Sequence, residues 1–333
     1  MQIRVGVIGA GSWGTTVAHL AACHAPTTLW ARDAAVADEI ETRSTNERYL
    51  PGLPLSPALR ATTSMAEAVA HADLVVVGVP SHGVRDTMGA CAPDVPPGAS
   101  IVSLTKGFEQ GSRKRMTEVL AELLPGRAVG VLTGPNLAKE IAERQPTATV
   151  VACTDPGAAR FVAEACASSY FRPYTNDDVV GVELCGAVKN VIALAVGMAQ
   201  GRGFGSNTTA TVITRGLVEI TRLGLALGAS AETFSGLAGM GDLVATCTSP
   251  LSRNNTLGRH IGEGMSLDEA LEATGTTAEG AKSCRSVLDL AGKHGVDMPI
   301  TAGVVSVLYD GLPVEEMARE LLSRPQKAEG VGA

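Results

Sequence analysis

The feature that most constrains this chain stands at its start. A short β-rich apolar run, Ile3–Ile8, ends in Gly9-Ala10-Gly11-Ser12-Trp13-Gly14, and an apolar helical pattern with Val17, Ala18, Leu20 and Ala21 follows. Glycine at the first, third and sixth positions of a strand-to-helix turn has a mechanical meaning. Gly9 permits the tight turn, Gly11 lets the backbone approach a pyrophosphate, and Gly14 lets helix and strand pack closely. The helix N-terminus beyond adds amide donors and a positive dipole end. A lone G-x-G-x-x-G is weak, but between a strand and a helix it points to a dinucleotide, with Ser12 placed to touch it. Trp13 reads either as a second cofactor neighbour or as packing.

The rest of the first half keeps the same alternation. Thr27–Trp30, Asp73–Val79, Ser100–Leu104, Ala128–Leu132 and Thr147–Ala152 are apolar runs of strand length, with helical stretches such as Arg113–Leu123 and Pro156–Ala167 between them. Near-continuous apolar strands alternating with helices predict an α/β fold, a Rossmann-type doubly wound parallel sheet. From Asp177 onward the period changes to that of helices. Asp177 or Asp178 would cap an apolar helix running to about Gln200, and further helices are predicted at Asn207–Leu227, Ser266–Ala273, Ala278–His294 and Pro299–Tyr309. The expected organisation is an NAD(P)-binding domain over 1–176, an all-α substrate-binding and catalytic domain over 177–325, and a tail over 326–333.

Composition removes several alternatives. Glycine is high, 38 of 333 residues, or about 11% against a usual 7%. It follows no G-X-Y period, which excludes collagen. Two Trp, four Tyr, five Phe and a net charge of −7 give neither a stacking platform nor a phosphate-backbone binder, so no nucleic-acid partner is expected. The seven cysteines are scattered and never spaced C-x-x-C, which fits reduced thiols in a cytoplasmic protein. The six histidines form no H-E-x-x-H pair, and no metal is expected. No signal-peptide core precedes the glycines, and no run approaches about 18 consecutive apolar residues, so no membrane span is expected.

Cofactor choice sits after the second strand. NAD sites usually place an acidic residue there for the ribose diol. Here Arg32 comes first, suited to a 2′-phosphate or else a solvated surface charge, and Asp33 follows as ribose ligand or helix cap. The expectation is NADP(H) by preference, with NAD(H) as the alternative.

Three motifs close later strands, where open α/β sheets bind ligands. They are Val79-Pro80-Ser81-His82, Leu104-Thr105-Lys106-Gly107 and the run Thr133-Gly134-Pro135-Asn136-Leu137-Ala138-Lys139-Glu140. Further on, Lys189 and Asn190 interrupt an apolar helix one turn after Gly186. A lysine there is either buried beside a partner, with a proton to transfer, or snorkelling at the surface. Burial lowers an ammonium pKa and a carboxylate beside it raises it. Beyond it, a glycine-rich turn carries a carboxylate, Asp242, with Thr246 one helical turn later. Ser252-Arg253-Asn254-Asn255 reads equally as a phosphate grip or as a polar helix cap.

In this order, GAGSWG, TKG at Lys106, GPNLAKE at Gly134, GAVKN at Lys189, AGMGDL at Asp242, SRNN at Arg253 and AEG at Glu279 resemble the bacterial NAD(P)-dependent glycerol-3-phosphate dehydrogenases. The resemblance spans about Ile3 to Arg324. It implies reversible reduction of dihydroxyacetone phosphate to sn-glycerol 3-phosphate for glycerophospholipid synthesis. It also implies Lys189 as proton donor and acceptor, helped by Lys106 and Asp242. Substrate contacts implied are Lys106, Gly134, Asn136, Lys189, Asn190, Asp242, Thr246, Ser252, Arg253 and Asn254. Cofactor contacts implied are Lys106, Ala138, Arg253, Thr277 and Glu279, beside Gly9, Gly11, Ser12, Trp13, Gly14 and Arg32. Asn136 stands where many family members carry a hydroxyl, and an amide still donates a hydrogen bond. A homodimer would suit the apolar helical second half. Two rivals remain at this level. One is a ketopantoate reductase or 3-hydroxyacid dehydrogenase, which leaves SRNN unexplained. The other is a non-catalytic NADP(H)-binding regulator, which has no need of Lys106, Lys189 and Asp242 together.

Overall fold

The computed structural model describes residues 3–275 and 278–326. The chain divides into two compact units, Met1–Val179 and Val180–Ala333.

The first unit is a sheet wrapped by helices. Its strands are β1 (Val5–Ile8), β2 (Thr27–Trp30), β3 (Leu59–Thr62), β4 (Leu74–Val77), β5 (Ser100–Ser103), β6 (Val129–Thr133), β7 (Thr147–Cys153) and β8 (Phe171–Asn176). They form one eight-stranded sheet in the order β3-β2-β1-β4-β5-β6-β7-β8. Strands β1 to β6 are parallel, with Val5 beside both Thr27 and Leu74. The order reverses between β1 and β4, which is the switch point where such sheets bind ligands. The central strands β1 and β4 are wholly buried, as their apolar runs require. Helices α1 (Ser12–Ala22), α2 (Ala34–Arg43), α3 (Met65–Val69), α4 (Val84–Cys91), α5 (Met116–Leu123), α6 (Ala138–Ala142) and α7 (Pro156–Cys166) supply the connections.

One part of the sheet departs from the expected all-parallel pattern. β7 runs antiparallel to β6, pairing Thr133 with Val150 and Gly130 with Cys153. The connection between them carries only the five-residue α6, too little for a covering crossover. β7 and β8 are again parallel.

The second unit is helical. It comprises α8 (Val179–Gly201), α9 (Ser206–Ala226), α10 (Ala231–Ser235), α11 (Asp242–Thr248), α12 (Arg253–Gly262), α13 (Leu267–Thr274), α14 (Glu279–Lys293), α15 (Pro299–Tyr309) and α16 (Val314–Ser323). α8 is long and apolar enough to cross a membrane by length and composition, with mean hydropathy 1.9, yet 94% of that window is buried inside the protein. With Glu183, Lys189 and Asn190 all buried along it, α8 reads as a core helix.

Glycine builds much of this second core. A Cβ on Gly197 would lie 2.2 Å from the Asn255 carbonyl oxygen, and one on Gly201 would lie 2.2 Å from that of Arg259. Reciprocally, a Cβ on Gly258 or Gly262 would meet the Leu194 or Met198 carbonyl oxygen at 2.3 Å. The α8 and α12 backbones thus touch directly. Gly201, one residue past the expected helix end at about Gln200, closes α8 and packs on α12. Gly239, in the glycine-rich turn before Asp242, clears the Phe234 backbone, whose oxygen a Cβ would meet at 2.1 Å.

Candidate active site

At the switch point the glycine turn has the expected form. Gly9 has φ of 118°, which favours glycine. A Cβ on Gly14 would lie 2.0 Å from the Gly9 carbonyl oxygen, so α1 could not seat with any larger residue. At Gly11 a Cβ would meet nothing within 4 Å, which leaves backbone open to a ligand. The first amides of α1 have no intrahelical acceptor. Trp13 packs edge-on against Phe171, with ring centroids 6.1 Å apart, and its indole nitrogen is buried without a hydrogen-bond partner. An open glycine, a helix N-terminus and a buried unpaired donor fit a dinucleotide pyrophosphate.

A segment that the sequence analysis passed over holds this turn. Asn46 is fully buried and donates its side-chain amide to the Ala10 carbonyl at 3.1 Å and the Thr15 hydroxyl at 2.9 Å. Ser12 donates to the Tyr49 carbonyl at 2.9 Å. The contacts lie 31 to 37 residues apart, so no local spacing marks them. A buried asparagine outside every periodic run was the only signal.

Of the two candidates after β2, Asp33 is the N-cap of α2. One oxygen accepts the Ala35 N–H and the other accepts Arg48 Nη1, both at 3.0 Å. Arg32 is exposed, with no hydrogen bond or ion pair to the described residues.

The ends of β5 and β6 come together. Lys106 Nζ donates to the Gly134 carbonyl at 3.3 Å, and the Thr105 hydroxyl donates to the Val79 carbonyl at 2.7 Å. Gly134 has φ of 151°, and the turn brings the Asn136 N–H to its carbonyl at 2.7 Å. Both polar atoms of the Asn136 side chain are buried without a partner. Such a group costs stability unless a ligand completes it. Ala138 opens α6, and its carbonyl accepts the Thr16 hydroxyl at 3.4 Å.

In the second unit the interrupted apolar helix resolves into an ion pair. Lys189 is 4% exposed and Asp242 1%, which removes the snorkelling alternative. Lys189 Nζ is bonded to Asp242 Oδ1 and donates to the Thr246 hydroxyl at 2.6 Å. Asp242 begins α11 directly after a π-helical turn, Leu237–Gly241, in which the Gly241 N–H reaches the Gly236 carbonyl at 3.1 Å. Such turns recur at functional sites because they re-aim the residue that follows. Cys247 beside this pair is fully buried, and burial pushes its thiol up to about 12, so it is an unreactive packing group.

The SRNN run is both a cap and an array of polar groups. Ser252 is the N-cap of α12, accepting the Asn255 N–H at 3.3 Å. Asn255 donates to Gln200 and to the Cys247 carbonyl, each at 3.0 Å. Asn254 accepts the Gly280 N–H at 2.9 Å. Arg253, first in α12, is exposed and makes no hydrogen bond or ion pair with the described residues. Asn190 is buried beside Lys189, and Glu279 opens α14 half-buried. Thr277 lies outside the described residues. Among the described residues no group of three or more His, Cys, Asp or Glu is placed to hold a metal ion.

Comparison with known proteins matches these two halves to one family. Residues 4–159 match the model of the NAD-dependent glycerol-3-phosphate dehydrogenase N-terminus, and 178–319 match that of its C-terminus. The chain belongs to the NAD-dependent glycerol-3-phosphate dehydrogenase family. Among relatives, the glycerol-3-phosphate dehydrogenase (NAD(P)+) of Corynebacterium kroppenstedtii is 55% identical over 332 residues, covering 98% of this chain and 100% of that protein. The enzyme of the same name from Thermobifida fusca is 54% identical, covering 99% of both chains. A crystal structure of glycerol-3-phosphate dehydrogenase from Coxiella burnetii matches with TM-score 0.92 and 38% identity, over 97% of this chain and 99% of that one. This glycerol-3-phosphate dehydrogenase family is one of NAD(P)-dependent oxidoreductases, so the glycine turn of this chain has a cofactor that fits it.

Proposed function

We propose that this chain reduces dihydroxyacetone phosphate to sn-glycerol 3-phosphate with NAD(P)H, reversibly, and supplies glycerophospholipid synthesis. The observation that carries the reading is Lys189, buried and held by Asp242 and Thr246, in a chain of this family.

When bound, the reduced nicotinamide supplies a hydride to the ketone carbon. The remaining work falls to side chains. Lys189 gives its proton to the carbonyl oxygen that becomes the hydroxyl, and takes it back in the reverse direction. Asp242 balances the ammonium charge and fixes its direction, and Thr246 fixes a second N–H vector. Arg253, with Ser252 and Asn254 beside it at the start of α12, binds the phosphate: the guanidinium offers a fork of donors and the helix end adds a favourable dipole. Lys106 and the Asn136 amide, at the ends of β5 and β6, are further polar groups suited to the substrate. Gripping the remote phosphate helps align the ketone for reaction.

Gly9, Gly11, Ser12, Trp13 and Gly14 hold the dinucleotide, with Ala138 and Glu279 as further contacts. Arg32 favours NADPH over NADH. We place the enzyme in the cytoplasm, a reading supported by its free, scattered cysteines, and read it as a homodimer.

The test is dinucleotide oxidation with dihydroxyacetone phosphate, with ketopantoate and with no ketone, run with NADPH and with NADH. Turnover with dihydroxyacetone phosphate alone supports the assignment. Turnover with ketopantoate instead, or with neither, overturns it. The SRNN array already favours a phosphate over a carboxylate substrate.

A further inference from the structure

The acidic residue that usually selects NAD is present after β2, and it is occupied. Asp33 spends one oxygen on the Ala35 N–H and the other on Arg48. Each oxygen already carries one donor, so a ribose diol would have to share both with Ala35 and Arg48, beside a guanidinium that offsets the carboxylate charge. Arg48 arrives from the connection between α2 and β3, on the segment that Asn46 and the Ser12–Tyr49 contact pin to the glycine turn. Its guanidinium also lies 5.4 Å from the centroid of the Tyr49 ring. The place of Arg48 relative to the turn is therefore fixed by buried contacts, although its side chain is 61% exposed.

That exposure matters for what the pair can do. An exposed ion pair contributes little to stability and is readily exchanged. A phosphomonoester offers two negative charges and three acceptor oxygens, so it competes well for the same guanidinium. Next to Asp33 in sequence stands Arg32, exposed and without a hydrogen bond or ion pair among the described residues.

We infer that Arg48 is a second specificity-determining residue, which screens Asp33 from the ribose diol and joins Arg32 in binding a 2′-phosphate. The inference rests on the reading of this sheet end as the dinucleotide site. Removing Arg48 has two consequences of opposite sign. The 2′-phosphate loses a donor, and Asp33 regains an uncontested acceptor position and its full charge for the diol.

Equilibrium titration tests this without reference to turnover. Binding of NADPH, NADH and adenosine 2′,5′-bisphosphate is measured by fluorescence or calorimetry for the wild type, Arg48→Ala and Arg48→Lys. For Arg48→Ala we expect NADPH and the bisphosphate to weaken roughly tenfold or more, the size of one charge-assisted contact. NADH should be unchanged or tighter, and Arg48→Lys should keep an intermediate preference for NADPH. Equal weakening of NADPH and NADH, or no change in NADPH, overturns the role of Arg48 while leaving the dinucleotide site intact. A wild-type protein that binds neither dinucleotide overturns the site itself, and this role with it.

Discussion

Lys189 shows what one buried charge demands of its surroundings. An ammonium 4% exposed is tolerable only with a carboxylate and hydroxyl group to receive it, and Asp242 and Thr246 supply both. Lys189→Ala should abolish turnover with dinucleotide binding intact; near-normal turnover would reject the proton-donor role. The same change strands Asp242, so the melting temperature should fall as well. Pairing Lys189→Met with Asp242→Asn should restore the melting temperature and not the activity, which separates charge burial from chemistry. Asn46 makes a different prediction. Asn46→Ala leaves the Ala10 carbonyl without its donor and loosens the turn, so NADPH and NADH should weaken together, unlike the discrimination expected at Arg48. A selective loss of one dinucleotide would show that Asn46 does more than position the turn. Lys189 and Asp242 were legible because each breaks a local pattern, one an apolar helix and the other a glycine run. Asn46 and Arg48 were not, because their partners are distant in sequence.

At the scale of elements, legibility followed burial. β1 and β4 were plain because both faces are covered, which makes their sequences continuously apolar. β3 (LRAT) and β8 (FRPYTN) are the sheet edges, mostly uncovered, and each carries a single fully buried residue. Their sequences have no reason to look like strands, and Pro173 is tolerated in β8 because an edge need not donate on its outer side. Helix α12 was missed for the opposite reason. Its buried face holds Asn254, Asn255, Gly258 and Gly262 beside Leu257 and Ile261, so no apolar stripe announces it. The same feature makes it fragile. Gly258→Ala should force α8 and α12 apart at a carbonyl contact of 2.3 Å. A loss of about 1–3 kcal/mol in unfolding free energy is expected by denaturant titration; a variant as stable as the wild type would mean the helices do not touch there.

Across the whole molecule, the glycine excess divides between two uses. Gly9, Gly11 and Gly14 shape a turn that meets a ligand, whereas Gly197, Gly201, Gly258 and Gly262 let two helices meet each other. Composition alone could not separate these uses, because both need the same missing side chain. Global stability also carries one pH-sensitive element. Glu219 on α9 is buried and accepts the Ile300 N–H at 2.6 Å and the Thr301 N–H at 3.2 Å, capping α15. Burial pushes its carboxyl up to about 7 from an ordinary 4.5, against the pull of those donors. Between those values the native chain holds a proton that the unfolded chain has released, so this contribution to stability declines as pH rises through the window. Glu219→Gln should therefore gain on the wild type in melting temperature between about pH 5 and about pH 8. Parallel melting curves for the two proteins across that range would reject the cause.

The direct backbone contact between α8 and α12 has a consequence for substrate choice. Lys189 lies two turns before Gly197 on one helix, and Arg253 lies five residues before Gly258 on the other. At these glycines main chain meets main chain, so on the proposed reading the helix contact sets the backbone spacing between the proton donor and the phosphate grip. A change in that spacing would require the helices to move apart or together. A phosphorylated ketone one carbon longer would have to place either its oxygen or its phosphate off the mark. On the proposed reading, then, the length of substrate accepted depends on glycines in a helix seam as well as on the side chains that bind it.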